Sequence, residues 1–205
     1  DVAEEVARFF GYDNIPVSLP SGEATTGKLP FELRVQNKAR EVIEYRGFSQ
    51  GMCYSFESPK VFDRLKLAAD APERKAIEIS NPLGEDFSIM RTVSVNGMLT
   101  SLATNYNRRN KDVKLYELVN IYLAKELPLK ELPEEKMMLT MGMYGQCDFF
   151  DMKGVVEEIF EKLGMEDIVE YNAEAGKTFL HPGRQASVIY KGTETGYIGE
   201  VHPQV

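Results

Sequence analysis

Residues 113–124 and 136–144 are two β-prone runs that follow one another with no helical segment between them, and residues 185–191 and 197–201 form a second such pair. Strands that succeed each other across a short link pair antiparallel, because a parallel partner needs a crossover of about a dozen residues or more. The helical patterns fall outside these pairs. Residues 31–46 carry Val35, Ala39, Val42 and Ile43 at i, i+4, i+7 and i+8, which gathers them on one face. Residues 94–108 repeat Val95, Met98, Leu99, Leu102, Ala103 and Tyr106 at helical spacing. A third helix carries Met152, Val155, Val156, Ile159, Phe160 and Leu163 behind an N-cap at Asp148. The expected class is α+β, an antiparallel β-sheet flanked by helices.

Smaller elements complete the pattern. Residues 1–12 read as a short helix with Val2, Val6 and Phe9 or Phe10 near one face, stopped by Gly11. Residues 14–28 hold two prolines, two glycines and several small polar residues, so a linker and a domain boundary are expected near 13–28. Strands are expected at 48–56, 76–80 and 168–171, and a short helix at 59–67. Gly47 stands where a left-handed helix C-cap belongs, and Gly164 closes the helix that follows Asp148. His181-Pro182-Gly183-Arg184 reads as a turn, and residues 192–196 as a hairpin loop.

The chain has 205 residues, room for one good-sized domain with an appendage or two small ones. Twenty-four basic against 32 acidic side chains give a net charge of −8, a surface that repels phosphate and disfavours nucleic-acid binding by this piece alone. The densest basic run, Arg108-Arg109-Asn110-Lys111, falls at a helix end, where cations complement the helix dipole. Cys53 and Cys147 have no metal-ligand spacing and are too few for a disulfide scaffold. No apolar run reaches the roughly 18–20 residues that span a bilayer, and the first residues lack the pattern of a signal peptide. A cytoplasmic location is expected. The start within a helix and the abrupt end read as an excised piece.

General catalytic signatures are thin: there is no phosphate-binding Gly-rich loop, no His-Glu-x-x-His and no nucleophile elbow. The Met137, Met138, Met141 and Met143 cluster reads as core filling. Asp1, Glu4 and Glu5 lie on one helical face, a cradle that suits a hard cation such as Mg²⁺; acids in a first helical turn also simply favour the dipole.

Several segments together resemble the beta subunit of bacterial phenylalanyl-tRNA synthetase. They are Asp1-Val2-Ala3-Glu4-Glu5-Val6-Ala7-Arg8-Phe9-Phe10-Gly11-Tyr12, then Asn81-Pro82-Leu83-Gly84-Glu85-Asp86-Phe87-Ser88-Ile89-Met90-Arg91-Thr92, then Asp148-Phe149-Phe150-Asp151-Met152-Lys153-Gly154, His181-Pro182-Gly183-Arg184-Gln185-Ala186 and Gly199-Glu200-Val201-His202-Pro203. The matches run in family order over essentially the whole chain, with Gly84 in place of a common Ser and Asn96 where Pro often precedes Gly97.

The resemblance implies a class II aminoacyl-tRNA synthetase-like fold in a catalytically inactive copy. Residues 1–20 would be the end of a preceding small metal-binding domain plus linker, and 21–205 the core domain, truncated at its C-terminal end. It further implies an α₂β₂ heterotetramer that joins phenylalanine to tRNA(Phe) with ATP and Mg²⁺, the chemistry lying in the alpha subunit and tRNA held mainly by other domains. Asp1, Glu4 and Glu5 match Mg²⁺ ligands of the family, whose further ligand lies upstream.

The run Leu115-Tyr116-Glu117-Leu118-Val119-Asn120-Ile121-Tyr122-Leu123-Ala124-Lys125 resembles the class II motif-2 strand. Leu123 occupies the position of the ATP-clamping arginine and Lys125 that of a glutamate, so a relict active site kept as scaffold is expected. Residues 31–46 and 48–56 match the place of class II motif 1, which builds subunit interfaces. Val35, Ala39, Val42 and Ile43 are the candidate interface residues, shared between the domain's own core and neighbouring subunits. Two rivals remain at this stage: an independent synthetase-like paralogue activating a small carboxylate with ATP, and a nucleic-acid-binding module.

Overall fold

The structure is a computed structural model that describes residues 1–24 and 26–205, and it divides into two compact units, Asp1–Pro30 and Phe31–Val205. In the first unit, helix α1 spans Val2–Phe10 and ends at Gly11, whose φ of 91° suits a residue without a Cβ. A single 3₁₀ turn, Tyr12–Asn14, follows, and the Asn14 side chain donates to the Phe10 carbonyl at 2.6 Å. The apolar residues Val2, Val6, Phe9 and Phe10 are all exposed.

In the second unit, helix α2 spans Phe31–Tyr45 and is followed by Gly47 at φ 85°, the expected left-handed cap. Next come β1 (Ser49–Gln50), β2 (Phe56–Glu57), α3 (Val61–Arg64), β3 (Ile89–Met90), α4 (Val95–Asn107), β4 (Val113–Leu123), β5 (Glu134–Tyr144) and α5 (Phe149–Lys162). The last strands are β6 (Val169–Asn172), β7 (Leu180–Tyr190) and β8 (Thr193–Val201).

The architecture is α+β, and both long strand pairs are antiparallel hairpins, β4 with β5 and β7 with β8. The single sheet of the sequence reading is divided into three ladders: β1-β4-β5, β2-β3 and β6-β7-β8, with β1 parallel to β4. The strand expected at 48–56 is broken, because the Cys53 N–H turns away from any ladder to donate to the Glu117 carboxylate at 2.5 Å. The strand expected at 76–80 reduces to one bridge, Glu78 to Ile89. The expected loop at 192–196 contracts to a two-residue turn, Lys191 and Gly192, both at positive φ. This lets β8 begin at Thr193, as the right-handed twist of a hairpin favours. His181-Pro182-Gly183-Arg184 lies within β7, at a register shift between Leu180 and Gln185, so the proline and glycine mark a bulge rather than a chain reversal.

The β4–β5 hairpin is the centre of the unit, and alternation along it assigns each face a different cover. Tyr116, paired with Met141, faces α2 and α5, packing with Ala39, Val42, Ile43, Val155 and Ile159. Leu115, paired with Gly142, faces α4. The helix approaches so closely that a Cβ on Gly142 would lie 2.7 Å from Leu102 and 2.8 Å from Met98. Helix α5 then joins the second sheet through Val156, which clusters with Ala186, Val188 and Ile198. Its start is fixed by a reciprocal capping box: Asp148 accepts from the Phe150 and Asp151 amides, and Asp151 accepts from the Asp148 amide. A third cluster packs Val61, Phe62 and Leu65 of the α3 region against Phe179 and Leu180.

Candidate functional site

A strand of apolar residues carries one acid, Glu117, immediately after the fully buried Tyr116. Alternation sends Glu117 to the α4 side of the sheet, where it is 1 % exposed. A carboxylate in such a place demands charge and hydrogen bonds. Arg91, just after β3 and also buried, supplies the charge: its Nη1 lies 4.0 Å from Glu117 Oε1. The same guanidinium donates to the Asn120 carbonyl at 2.7 Å and to the Tyr54 carbonyl at 3.1 Å. Every contact of Arg91 thus knits the β1–β2 connection and β4 together from within.

Glu57 of β2 completes the layer. Asn96 donates to its Oε1 at 3.0 Å, and the second oxygen of both Glu57 and Glu117 has no protein partner. Burial pushes the Glu57 carboxyl up to about 7, against the lowering effects of the Asn96 hydrogen bond and of Arg91. Burial likewise raises the nearby Cys53 thiol, whose sulfur sits 3.4 Å from the Ser101 hydroxyl. Thr140 on β5 bonds Ser94 before α4 at 2.6 Å. The layer is buried, leaves one oxygen of each carboxylate without a partner, and has its arginine, Arg91, already engaged by Asn120, Tyr54 and Glu117.

Leu123 ends β4, half-buried and paired with Glu134 of β5. Lys125 is exposed and forms an ion pair with Glu131 at 3.0 Å. Neither side chain offers a planar fork of donors to an anion.

Of the four residues expected to be shared with a neighbour, Ala39, Val42 and Ile43 are taken up by the chain's own core, and Val35 is half-buried. The periodicity located the apolar face correctly, but that face meets β4 and α5. What α2 leaves open is its flank and ends, where Phe31, Leu33 and Tyr45 are exposed. A cavity of about 460 Å³ opens beside α2 and α5, lined by Lys38, Glu41, Val42, Tyr45, Glu158 and Lys162. Arg46 and Glu158 form an ion pair between these helices. Beneath them the Tyr116 hydroxyl donates to Glu44 at 2.5 Å; burial, with help from that carboxylate, pushes the phenol up to about 12.

Asp1 stands at the N-cap of α1 without a side-chain cap bond, and Glu5 is paired with Arg8 at 2.6 Å. Among the described residues no group of three or more His, Cys, Asp and Glu side chains is placed to hold a metal ion. No described helix is long and apolar enough to cross a membrane.

The sequence reading missed Arg91, Glu117 and Glu57 as a unit. One signal was available: Glu117 interrupts a run of apolar strand residues at a position whose alternate neighbours, Leu115 and Val119, are apolar. Its partners come from segments 26 and 60 residues away, which periodicity does not connect.

The fold is that of class II aminoacyl-tRNA synthetases. A pyrrolysyl-tRNA synthetase from Desulfitobacterium hafniense superposes with a TM-score of 0.62 at 14% identity, over 80% of this chain and 57% of that one. A second structure of that enzyme gives a TM-score of 0.58 at 15% identity. Sequence carries the assignment further. The family model described as "Phenylalanyl tRNA synthetase beta chain CLM domain" matches residues 15–205. The phenylalanine–tRNA ligase beta subunit of Clostridium acetobutylicum is 41% identical over the whole chain, and that of Clostridium tetani 37% identical. The chain belongs to the phenylalanine–tRNA ligase beta-subunit family, and it spans about a quarter of the length of these relatives, 26% in both cases.

Proposed function

We propose that this part of the beta subunit is a non-catalytic, synthetase-like scaffold that assembles with an alpha subunit, and that the whole α₂β₂ ligase attaches phenylalanine to tRNA(Phe) using ATP and Mg²⁺ in the cytoplasm. The observation that carries the reading is the fate of the cations around β4. Adenylate formation builds negative charge on phosphate and needs a preorganised arginine to meet it. Leu123 ends the strand where the family resemblance calls for that arginine, and Arg91 is spent on Asn120, Tyr54 and Glu117.

In this reading the role of the sheet is mechanical. The Arg91–Glu117 layer holds the β1–β2 connection on β4, and α2 lies across the opposite face with Phe31, Leu33 and Tyr45 directed outward for a neighbouring subunit. Residues 1–20 are the end of a preceding domain plus linker, and residues 21–205 the scaffold core. Asp1, Glu4 and Glu5 would bind Mg²⁺ only with a further ligand from preceding chain. tRNA is gripped mainly by other domains, in keeping with the net charge of −8 here.

The test is aminoacylation by the reconstituted ligase with Leu123→Ala in the beta subunit. The reading expects kcat within about twofold of the parent, because a side chain that makes no contact in the transition state contributes nothing to its stabilisation. A drop of about a hundredfold or more in kcat, with assembly intact, would place Leu123 in working catalytic machinery.

A further inference from the structure

On a protein of net charge −8, one cavity is lined without a single acidic side chain. It has a volume of about 350 Å³ and lies beside the Val61–Leu65 and Phe179–Leu180 cluster, with Lys66, Lys177, Thr178, Gln185 and His202 contributing its polar wall. Two left-handed residues, Lys66 at φ 57° and Gly176 at φ 65°, shape its rim.

The hydrogen bonds already made around this wall decide what it can still accept. The Gln204 amide donates to His202 Nδ1 at 3.1 Å, so in the neutral ring the proton sits on Nε2. That Nε2 lies 3.4 Å from Lys66 Nζ, which is itself held by Gln204 Oε1 at 2.7 Å. An N–H and an ammonium, both donors, therefore face each other and cannot bond directly. Gln185 repeats the pattern: its Oε1 is occupied by the Lys177 amide at 3.0 Å, which leaves its NH₂ group to donate. Lys177 Nζ is balanced by Glu194 at 2.9 Å, so the unneutralised charge is that of Lys66. The other ring nearby, His181, spends its Nδ1 on the Gly183 amide at 3.1 Å and adds no acceptor.

We infer that this cavity is an oxyanion site, in which Lys66 Nζ, His202 Nε2–H and the Gln185 amide converge on the oxygens of one phosphate group. An anion oxygen set to one side of the Lys66–His202 pair, accepting from both, resolves the opposition of two donors, and charge-assisted bonds of this kind are the stronger ones. Burial, then Lys66 and then His181 hold the His202 imidazole below its ordinary pKa, so it remains a neutral donor near pH 7.

The site is tested on the 205-residue chain by ¹⁵N NMR of the His202 ring and the Gln185 side-chain amide, titrated with inorganic phosphate and separately with dimethyl phosphate. Sodium chloride at equal ionic strength is the reference. Saturable shifts of both groups, absent with chloride and weakened about tenfold or more by Lys66→Gln, are the expected result. Lys66→Gln keeps an exposed side chain of similar length, and an unchanged backbone spectrum verifies its fold. Response to dimethyl phosphate as well as phosphate identifies a phosphodiester backbone as a source; response to phosphate alone identifies a free phosphate. Shifts that fail to saturate, that chloride reproduces, or that survive Lys66→Gln undiminished overturn the assignment.

Discussion

Two carboxylates, Glu57 and Glu117, sit inside this domain with one oxygen each unpartnered by protein, and a single arginine serves the pair. Their cost and their use are separable by mutation. Replacing Arg91 with Met leaves Glu117 buried without its counter-charge and frees the Asn120 and Tyr54 carbonyls. Urea denaturation is expected to register a loss of about 3–5 kcal/mol. Glu57 behaves differently, because its carboxyl is pushed up to about 7 from an ordinary value near 4.5. The folded chain holds that proton more tightly than the unfolded chain does, so the contribution is favourable in acid and is lost as pH rises from about 4.5 through about 7. The Glu57 part of this slope amounts to about 3 kcal/mol at most, and Glu57→Gln should flatten it in a stability-versus-pH series. An unchanged slope would mean that Glu57 is charged throughout. None of this was legible residue by residue: a single acid in an apolar strand signals a buried partner, but only the packing of β2, β3 and β4 reveals which one.

At the scale of elements, the long pieces were legible and the short ones were not. Helices α2, α4 and α5 and the β4–β5 hairpin followed from apolar spacing, and Asp148, Gly47 and Gly164 marked ends correctly. The β-prone residues of segments 48–56 and 76–80 predict strands. There the backbone bonds to the buried acid and to single bridges instead, which is tertiary context overriding local preference. The segment 181–184 predicts a turn and forms a bulge for a related reason: proline and glycine signal irregular backbone without saying whether the chain reverses. Gly142 is the clearest test of how the elements fit. A methyl group there meets Leu102 and Met98 at under 3 Å, so Gly142→Ala should push α4 from the sheet and cost about 1–3 kcal/mol in thermal or urea unfolding. A neutral result would show that α4 can shift without loss.

At the scale of the molecule, the resemblance in five ordered segments identified the family correctly, while the four candidate interface residues illustrate the limit of periodicity. It tells which face of a helix is apolar but not whether the cover comes from the same chain. Three of the four are buried at home, while Phe31, Leu33 and Tyr45 of the same helix stay exposed. Calorimetric titration of the domain, first with ATP plus Mg²⁺ and then with a purified cognate alpha subunit, tests the scaffold account most directly. The account predicts no saturable heat with ATP and saturable heat with the alpha subunit, weakened by Tyr45→Ala. Saturable ATP binding, or no association with the alpha subunit, would contradict it.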